Sequence, residues 1–278
     1  MKAILHTRYG PPDELQLIEI DKPVPKDGQV LVKIHASTVT STDCNLRNLT
    51  FVPRLIWLPM RLQFGLIKPR PTVLGVDVAG EIEAVGKAVA RFRPGDQVFG
   101  TPEPASGGHA EYICIPKDGA LTTKPSNLSY EEAAAMPVAA HTALYFLRDQ
   151  GNVQAGEKVL VNGASGAIGT FAVQLAKHLG AHVTGVCSTT NLDLARSLGA
   201  DRVIDYTRED FTTSGETYDV IFDTVCKSSF SRCRRSLKEH GRYLVTLPTL
   251  GVVFLLLWTS PVGNKSVKNG SGEITADD

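Results

Sequence analysis

The stretch Lys158–Ser188 reads KVLVNGASGAIGTFAVQLAKHLGAHVTGVCS, and its apolar periodicity changes twice. A short β-branched run comes first, glycines stand at positions 163, 166 and 169, and an apolar stripe at helical spacing follows as far as Gly180. A second apolar run, His182–Cys187, completes the pattern of a βαβ unit. Glycines between a strand and a helix let the backbone approach the phosphates of a dinucleotide, beside the positive end of the helix. The alternative is a tight strand-to-helix turn in another kind of α/β protein.

This turn and the first helical residues form the predicted pyrophosphate cradle, which consists of Gly163, Ala164, Ser165, Gly166, Ala167 and Ile168. Three glycines at these offsets are a weak signal alone and a strong one between a strand and a helix.

The loop after the second strand indicates which dinucleotide is bound. An NAD site usually carries Asp or Glu about 20 residues after the glycines, where it accepts from the ribose 2′-OH. Here no carboxylate appears before Asp193, and the loop consists of Ser188, Thr189, Thr190 and Asn191. Hydroxyl and amide groups can donate to a 2′-phosphate, so the loop favours NADP(H), although no lysine or arginine follows closely. Thr190 has a second interpretation, as the N-cap of a helix over residues 192–198.

Composition excludes several function classes. The 278 residues carry 29 basic and 29 acidic side chains, so no net charge points to nucleic acid or an acidic membrane. The basic cluster Arg232–Lys238 is interpreted as a solvated helix face. The apolar run Gly251–Trp258 is too short to cross a membrane. The five scattered cysteines suit reduced thiols, and with no signal peptide pattern at the N-terminus they predict a cytoplasmic protein.

The pattern of apolar and polar residues changes near residue 125. Before it, Gln29–Ala36, Val78–Val85 and His109–Ile115 alternate between apolar and polar residues, which predicts a small antiparallel β-barrel. After it, helical and strand patterns alternate, with a helix expected over Phe230–Lys238, which predicts a doubly wound parallel sheet. The predicted domains are residues 1–124 and 125–278.

Motifs along nearly the whole chain resemble the medium-chain dehydrogenase/reductase superfamily, in its zinc-free quinone oxidoreductase and enoyl-reductase-like branch. The matching segments are Tyr9–Pro12, Val39–Asp43 with Arg47, Leu74–Gly80, Phe92–Val98, Ala133–Pro137, His141–Leu144, Asn162–Gly169, Leu198–Asp201 and Ile204–Tyr206. The resemblance implies an α/β fold class: a GroES-like antiparallel β-barrel domain plus a Rossmann doubly wound parallel-sheet domain. It also implies an active site in the cleft between them and the possibility of a homodimer.

The resemblance places further site residues. Thr40 is the candidate for orienting the substrate, with a hydroxyl bonded to backbone as the equal alternative. Thr142 resembles a family threonine that touches the nicotinamide side of the cofactor. Val225 and Leu247 end predicted parallel strands and are expected to flank the nicotinamide. Tyr206 ends another and either stacks near the adenine or simply packs. Asp43 and Arg47, four residues apart, are expected to pair. Some relatives place an arginine at the position of Thr190.

Zinc is not expected. Zinc-using relatives have a cysteine where this chain has Thr40 and a His-Glu pair where it has Val76 and Asp77. Valine cannot ligate a metal, and a lone threonine hydroxyl is a poor zinc ligand. Alcohol oxidation needs a Lewis acid or a base to carry the alkoxide. A polarised C=C bond or a quinone needs less help, because hydride goes from the nicotinamide to an electron-poor carbon and the resulting anion then takes a proton.

The expected function is therefore NADPH-dependent, metal-independent reduction of a small quinone or enone. A non-catalytic NADPH-binding sensor or scaffold is the alternative, and a zinc alcohol dehydrogenase is disfavoured. The apolar loop 48–70 is either a substrate lid or a cover for the barrel. The family pattern continues with a further helix and strand, so the chain is expected to be C-terminally truncated, to lack the sixth sheet strand and to leave a sheet edge exposed.

Overall fold

The computed structural model describes residues 1–49, 57–58, 61–62, 64–66, 68–70, 72–102, 106–246 and 264–270. The chain divides into two compact units, Met1–Val138 and Ala139–Glu273. The division falls later than the predicted boundary at residue 124. The reason is a short helix, Tyr130–Ala134, that packs on the strands of the first unit through the buried Ala133 and Ala134.

The first unit is built from antiparallel strands. The strands are β1 (Lys2–His6), β2 (Leu15–Glu19), β3 (Gln29–Ser37), β4 (Val78–Val85), β5 (Gln97–Gly100), β6 (Tyr112–Pro116) and β7 (Leu121–Thr123). They form a five-stranded sheet with the order β6-β3-β4-β5-β7, and a second sheet that pairs β1 with β2. Val30, Val32 and Ile82 are fully buried in the core of this unit. Leu31 is buried as well, so the start of β3 alternates less than its sequence pattern predicts. Helix α1 (Ser41–Asn48) follows β3, and Tyr130–Ala134 is α2.

The second unit contains a parallel sheet and helices. Its elements are α3 (Pro137–Leu144), β8 (Lys158–Asn162), α4 (Ala167–His178), β9 (His182–Cys187), α5 (Leu192–Ser197), β10 (Arg202–Asp205), β11 (Tyr218–Asp223), α6 (Phe230–Cys233), β12 (Leu237–Val245) and β13 (Ser266–Lys268). The six strands are parallel and have the order β10-β9-β8-β11-β12-β13. A π-helix, Tyr145–Gln150, continues α3. Helix α3 begins within the first unit, at Pro137.

Both faces of the parallel sheet are covered. Along β8, Val159 and Val161 pack into one apolar cluster with Ala172 of α4, whereas Leu160 packs into a second cluster with Ile221 and Tyr243. Successive side chains of a strand point to opposite faces, so a strand buried on both faces needs the continuous apolar run seen in the sequence.

Two expectations about this unit were wrong. The helix predicted over Phe230–Lys238 ends at Cys233, because Leu237 already begins β12 and pairs with Tyr218 of β11. The sixth strand is present: Ser266–Lys268 forms β13 and pairs in parallel with Arg242–Leu244. The edge of β12 is therefore covered by a three-residue strand, which is too short to show a periodic pattern in the sequence.

Candidate dinucleotide site

The turn between β8 and α4 tolerates no side chain at two of its glycines. Gly163 has a φ of +89°, and a Cβ on it would lie 2.6 Å from Cγ1 of Val225 and 2.7 Å from Oγ1 of Thr224. A Cβ on Gly169 would lie 2.0 Å from the carbonyl oxygen of Gly163. These two glycines bring the start of the helix against the end of the strand, which is the packing that the sequence motif predicted.

The third glycine plays a different part. Gly166 is the N-cap of α4, and no side chain caps the first turn of this 12-residue helix. The first amides of a helix lack partners within the helix, and together with the helix dipole they attract an anion. A Cβ on Gly166 would come no closer than 3.4 Å to any atom, the carbonyl oxygen of Gly163, so the space beside it is open.

A cavity of about 700 Å³ lies beside this turn. It is formed at the carboxyl ends of four adjacent strands, where Asn162 ends β8, Cys187 ends β9, Tyr206 follows β10 and Val225 follows β11. The chain winds from β8 towards β9 and β10 on one side and resumes with β11 on the other. The cavity therefore lies at the topological switch point, where open parallel sheets bind their ligands.

Many of the predicted cofactor residues line this one cavity. They are Gly163, Ser165, Gly166, Ser188, Asn191, Tyr206 and Val225. Tyr206 is 62% exposed, so its ring presents a largely open face instead of packing in a core.

The remaining predicted residues lie elsewhere. Ala164 is fully buried and packs beneath the turn, and Ile168 packs against the core of the unit. Ala167 is the first residue of α4, so its contribution to the site is its backbone N–H. Thr142 lies in α3, outside the cavity lining, and Leu247 lies outside the described residues.

The loop after β9 uses its polar groups internally. The hydroxyl of Thr189 donates to Oδ2 of Asp205, a buried carboxylate at the end of β10. Hydrogen bonds from Thr189 and Thr207 hold the pKa of Asp205 below its usual range. Thr190 contacts Ser188 through their hydroxyls at 3.2 Å, and the amide of Asn191 donates to the same serine at 3.1 Å. Thr190 makes no side-chain cap at the helix that follows, where Asn191 is the N-cap.

Several residues of the cavity wall were not among the predicted site residues. The ends of β8 and β9 contribute Asn162, Val186 and Cys187, the segment after β10 contributes Glu209, Asp210 and Phe211, and the segment after β11 contributes Lys227, Ser228 and Arg232. Arg232 is exposed, as expected for a solvated face, and its Nη2 donates to Oδ2 of Asp210 at 2.7 Å. Lys227 stands four residues after the end of β11, and its place shortly after a parallel strand was the signal that the sequence offered.

A buried carboxylate holds the floor of the cavity together. Asp223 is 0% exposed at the end of β11. Its carboxylate accepts from Nδ2 of Asn162 and from the hydroxyl of Tyr243, each at 2.9 Å. It also accepts from the backbone N–H groups of Ser228 at 2.9 Å and Val225 at 3.4 Å. Burial raises the pKa of Tyr243 above its usual range, so this phenol stays protonated and keeps donating.

The candidate residue of the first unit has a clear structural role. Thr40 is the N-cap of α1 and forms a capping box with Asp43: its hydroxyl donates to Oδ2 of Asp43 at 2.7 Å and accepts from the N–H of Asp43 at 3.3 Å. The expected pair of Asp43 and Arg47 was wrong. Asp43 is buried, and its second carboxylate oxygen accepts from the N–H of Gly75 at 2.9 Å instead.

We expect Thr40→Val to lower the free energy of unfolding by about 1 kcal/mol, because the helix loses its cap, and Thr40→Ser to retain it. Urea unfolding of the two variants checks this. Since the hydroxyl proton of Thr40 is committed to Asp43, the rate of the expected reduction per folded molecule should change little in either variant. A valine variant of normal stability but much reduced rate would instead support substrate orientation by Thr40.

Asp77 stands where zinc-using relatives were expected to have a ligand, and it is hydrogen-bonded within the protein. The carboxylate of Asp77 accepts from the hydroxyl of Thr38 at 2.9 Å and from the N–H of Val138 at 3.0 Å. Among the residues that the structure describes, no group of three or more His, Cys, Asp or Glu side chains is placed to hold a metal ion.

Among the helices in the described part of the chain, none is both long enough and apolar enough to cross a membrane.

Comparison with known proteins gives matches over most of the chain. The alcohol dehydrogenase GroES-like domain matches residues 26–126, and the zinc-binding dehydrogenase family matches residues 167–246. A chloroplastic quinone-oxidoreductase homolog of Spinacia oleracea is 33% identical over 93% of this chain and 78% of its own length. The chloroplastic NADPH-dependent alkenal/one oxidoreductase of Arabidopsis thaliana is 33% identical over 99% of this chain and 67% of its own. The solved quinone oxidoreductase from Coxiella burnetii has a TM-score of 0.84 at 28% identity, covering 100% of this chain and 84% of that protein.

Proposed function

The chain belongs to the quinone-oxidoreductase-like branch of the medium-chain dehydrogenase/reductase superfamily, and on that premise we propose that it reduces quinones or α,β-unsaturated carbonyls with NADPH. The observation that carries this proposal is the cavity of about 700 Å³ at the switch point of the parallel sheet, with Gly163 and Gly166 in its wall. The geometry of this cavity suits a dinucleotide. With NADPH as that dinucleotide, the cavity would be the cofactor site of an oxidoreductase.

The residues present fit a dinucleotide. Gly163 and Gly169 leave no room for a side chain, Gly166 leaves open space, and the first turn of α4 has no side-chain cap. The free amides at this turn would hold the pyrophosphate. Ser188, Asn191 and Tyr206, which line the same cavity at the ends of β9 and β10, would surround the adenosine. Thr142 and Leu247 remain predictions for the nicotinamide end.

When bound, NADPH supplies a hydride to the electron-poor carbon of the substrate, and solvent completes the reduction with a proton. The protein's own contribution is to hold and orient the reactants and to keep water away from them. We propose that no metal takes part. The hydroxyl of Thr40 and the carboxylate of Asp77 are both occupied by hydrogen bonds within the protein, which supports this.

The setting of the reaction is also a proposal. The five cysteines are free thiols, which suits a reducing compartment such as the cytoplasm. Relatives in this branch include chloroplastic proteins, so the compartment needs direct localisation. We further propose a homodimer with a small-molecule substrate and no nucleic-acid partner, in keeping with the zero formal net charge.

The test is NADPH consumption by the purified chain after dialysis against EDTA. An alkyl vinyl ketone, a 2-alkenal and a para-benzoquinone serve as substrates, and the matching saturated ketone serves as the control. We expect consumption with at least one conjugated substrate, none with the saturated ketone, and no gain on adding Zn²⁺.

Each alternative gives a different pattern. Saturable NADPH binding without consumption of any conjugated substrate would support a non-catalytic binding protein. Activity on alcohols or saturated ketones that appears only with Zn²⁺ would overturn the metal-independent reaction.

A further inference from the structure

We propose that Lys227, in the loop after β11, recognises the 2′-phosphate of NADPH and so sets the preference of the site for NADPH over NADH. This inference rests on the proposed function, because it assigns a specificity residue to the same cofactor cavity. The sequence pattern assigned recognition of the 2′-phosphate to the loop after β9, and we assign it to the loop after β11 instead.

The loop after β9 is poorly equipped for that task. It carries no cation between Ser188 and Asn191. Its hydroxyl and amide donors are bonded to one another or, through Thr189, to the carboxylate of Asp205. The next basic residue, Arg196, pairs with Asp193 at 2.8 Å. A doubly charged phosphate would meet neutral, largely committed groups there, and a nearby carboxylate.

Lys227 offers the missing charge. It is exposed, and it lines the same cavity as Ser188, Asn191 and Tyr206. Within the part of the chain that the structure describes, its ammonium group has no ion-pair or hydrogen-bond partner. An unpaired ammonium in a ligand cavity has three donors available for an anionic ligand, and phosphate is an anion that lysine commonly binds as a point charge.

The loop that carries Lys227 is held in place. Asp223 binds the backbone N–H groups on both sides of it, those of Val225 and Ser228. Between them, Cys226 has a φ of +53°, a left-handed conformation that is uncommon for this residue type. The backbone on either side of Lys227 is therefore fixed to the sheet, which lowers the entropy lost when its side chain binds a ligand.

The other charges of the cavity wall leave Lys227 as the available cation. Arg232 is paired with Asp210, whose other carboxylate oxygen accepts from the N–H and hydroxyl of Thr212. Glu209 contributes a negative charge to the same wall. Without Lys227, the charged side chains of the cavity wall would sum to a net negative charge, which would repel the 2′-phosphate.

The test compares Lys227→Gln with wild type and with Lys268→Gln. The control removes the same charge from an exposed lysine on the edge strand β13, two strands away from β11 in the sheet. Dissociation constants are measured for NADPH and NADH, and for 2′,5′-ADP and 5′-AMP, which differ in the same way but lack the nicotinamide.

For Lys227→Gln we expect NADPH and 2′,5′-ADP to bind about tenfold more weakly or worse, because a charge-assisted contact is lost. NADH and 5′-AMP should bind as they do to wild type, and Lys268→Gln should match wild type for all four ligands. The preference of wild type for NADPH should also shrink as salt is added, since the contact is exposed to solvent.

Three outcomes would overturn the inference. Two concern Lys227→Gln: NADPH binding stays unchanged, or NADPH and NADH binding weaken equally, which would indicate a general effect on the loop. The third is a wild type that binds NADPH and NADH equally well, which would remove the 2′-phosphate site while leaving the reductase function standing. Wild type that binds neither dinucleotide would defeat the proposed function itself, and this result is distinct from those three.

Discussion

Replacing Gly166 with valine is expected to weaken NADPH binding on the order of a hundredfold while leaving the protein folded. Gly166 has φ −80° and ψ 168°, an extended conformation that valine adopts readily, and a Cβ there meets no atom closer than 3.4 Å. The added methyl groups would occupy the space beside the uncapped start of α4, where the pyrophosphate is expected. Fluorescence titration with NADPH measures the loss, and circular dichroism confirms the fold.

The matched variant is Gly169→Ala, which should fail in a different way. Its Cβ would lie 2.0 Å from the carbonyl oxygen of Gly163, so the backbone of the turn has to move. We expect this smaller substitution to lower the melting temperature and to weaken binding together. If Gly166→Val bound NADPH as tightly as wild type, the phosphates could not lie at the start of α4.

Removing the carboxylate of Asp223 is expected to cost about 3 kcal/mol of folding free energy or more. In Asp223→Leu, the amide of Asn162 and the hydroxyl of Tyr243 lose their buried acceptor, and a buried donor left without a partner costs about 1–3 kcal/mol. The N–H groups of Val225 and Ser228 lose the same acceptor, so the loop carrying Lys227 should loosen as well. Urea unfolding measures the first effect and NADPH titration the second.

Two milder variants separate these contributions. Tyr243→Phe removes one donor together with its hydrogen bond, so we expect a loss of only about 1 kcal/mol and a normal NADPH affinity. Asp223→Asn keeps one acceptor oxygen but turns an NH₂ group towards donors, so its free energy of unfolding should fall between those of Asp223→Leu and Tyr243→Phe. A leucine variant as stable as wild type would mean that the network does not hold the floor of the cavity.

The local pattern of the sequence was sufficient for the βαβ unit. At this junction of strand and helix, Gly169 lies against the carbonyl oxygen of Gly163, and Gly166 leaves the start of the helix open. The clash that excludes a side chain at Gly163 involves Thr224 and Val225, which a local pattern does not show. Strand β4 runs over Val78–Val85, as its alternation predicted, because one of its faces is buried and the other is less so.

What the sequence left undetermined depends on contacts between distant segments. Asp43 was expected to pair along its own helix with Arg47, but Gly75 approaches it from a segment far along the chain. Lys227 and Arg232 join the cavity only because β11 lies beside β8 in the sheet. The sixth strand, Ser266–Lys268, is defined by its pairing with β12 and has no pattern of its own.

The central claim is that a reduced dinucleotide binds with its phosphates on the amides at the start of α4. Hydrogen exchange of the wild-type chain, with and without saturating NADPH, tests this claim most directly. The account predicts slower exchange for the amides of Ser165 and residues 167–169 and of the loop 225–228, and unchanged exchange in β1 and β2. NADPH binding that leaves the amides of Ser165 and residues 167–169 exchanging at their original rate would contradict it.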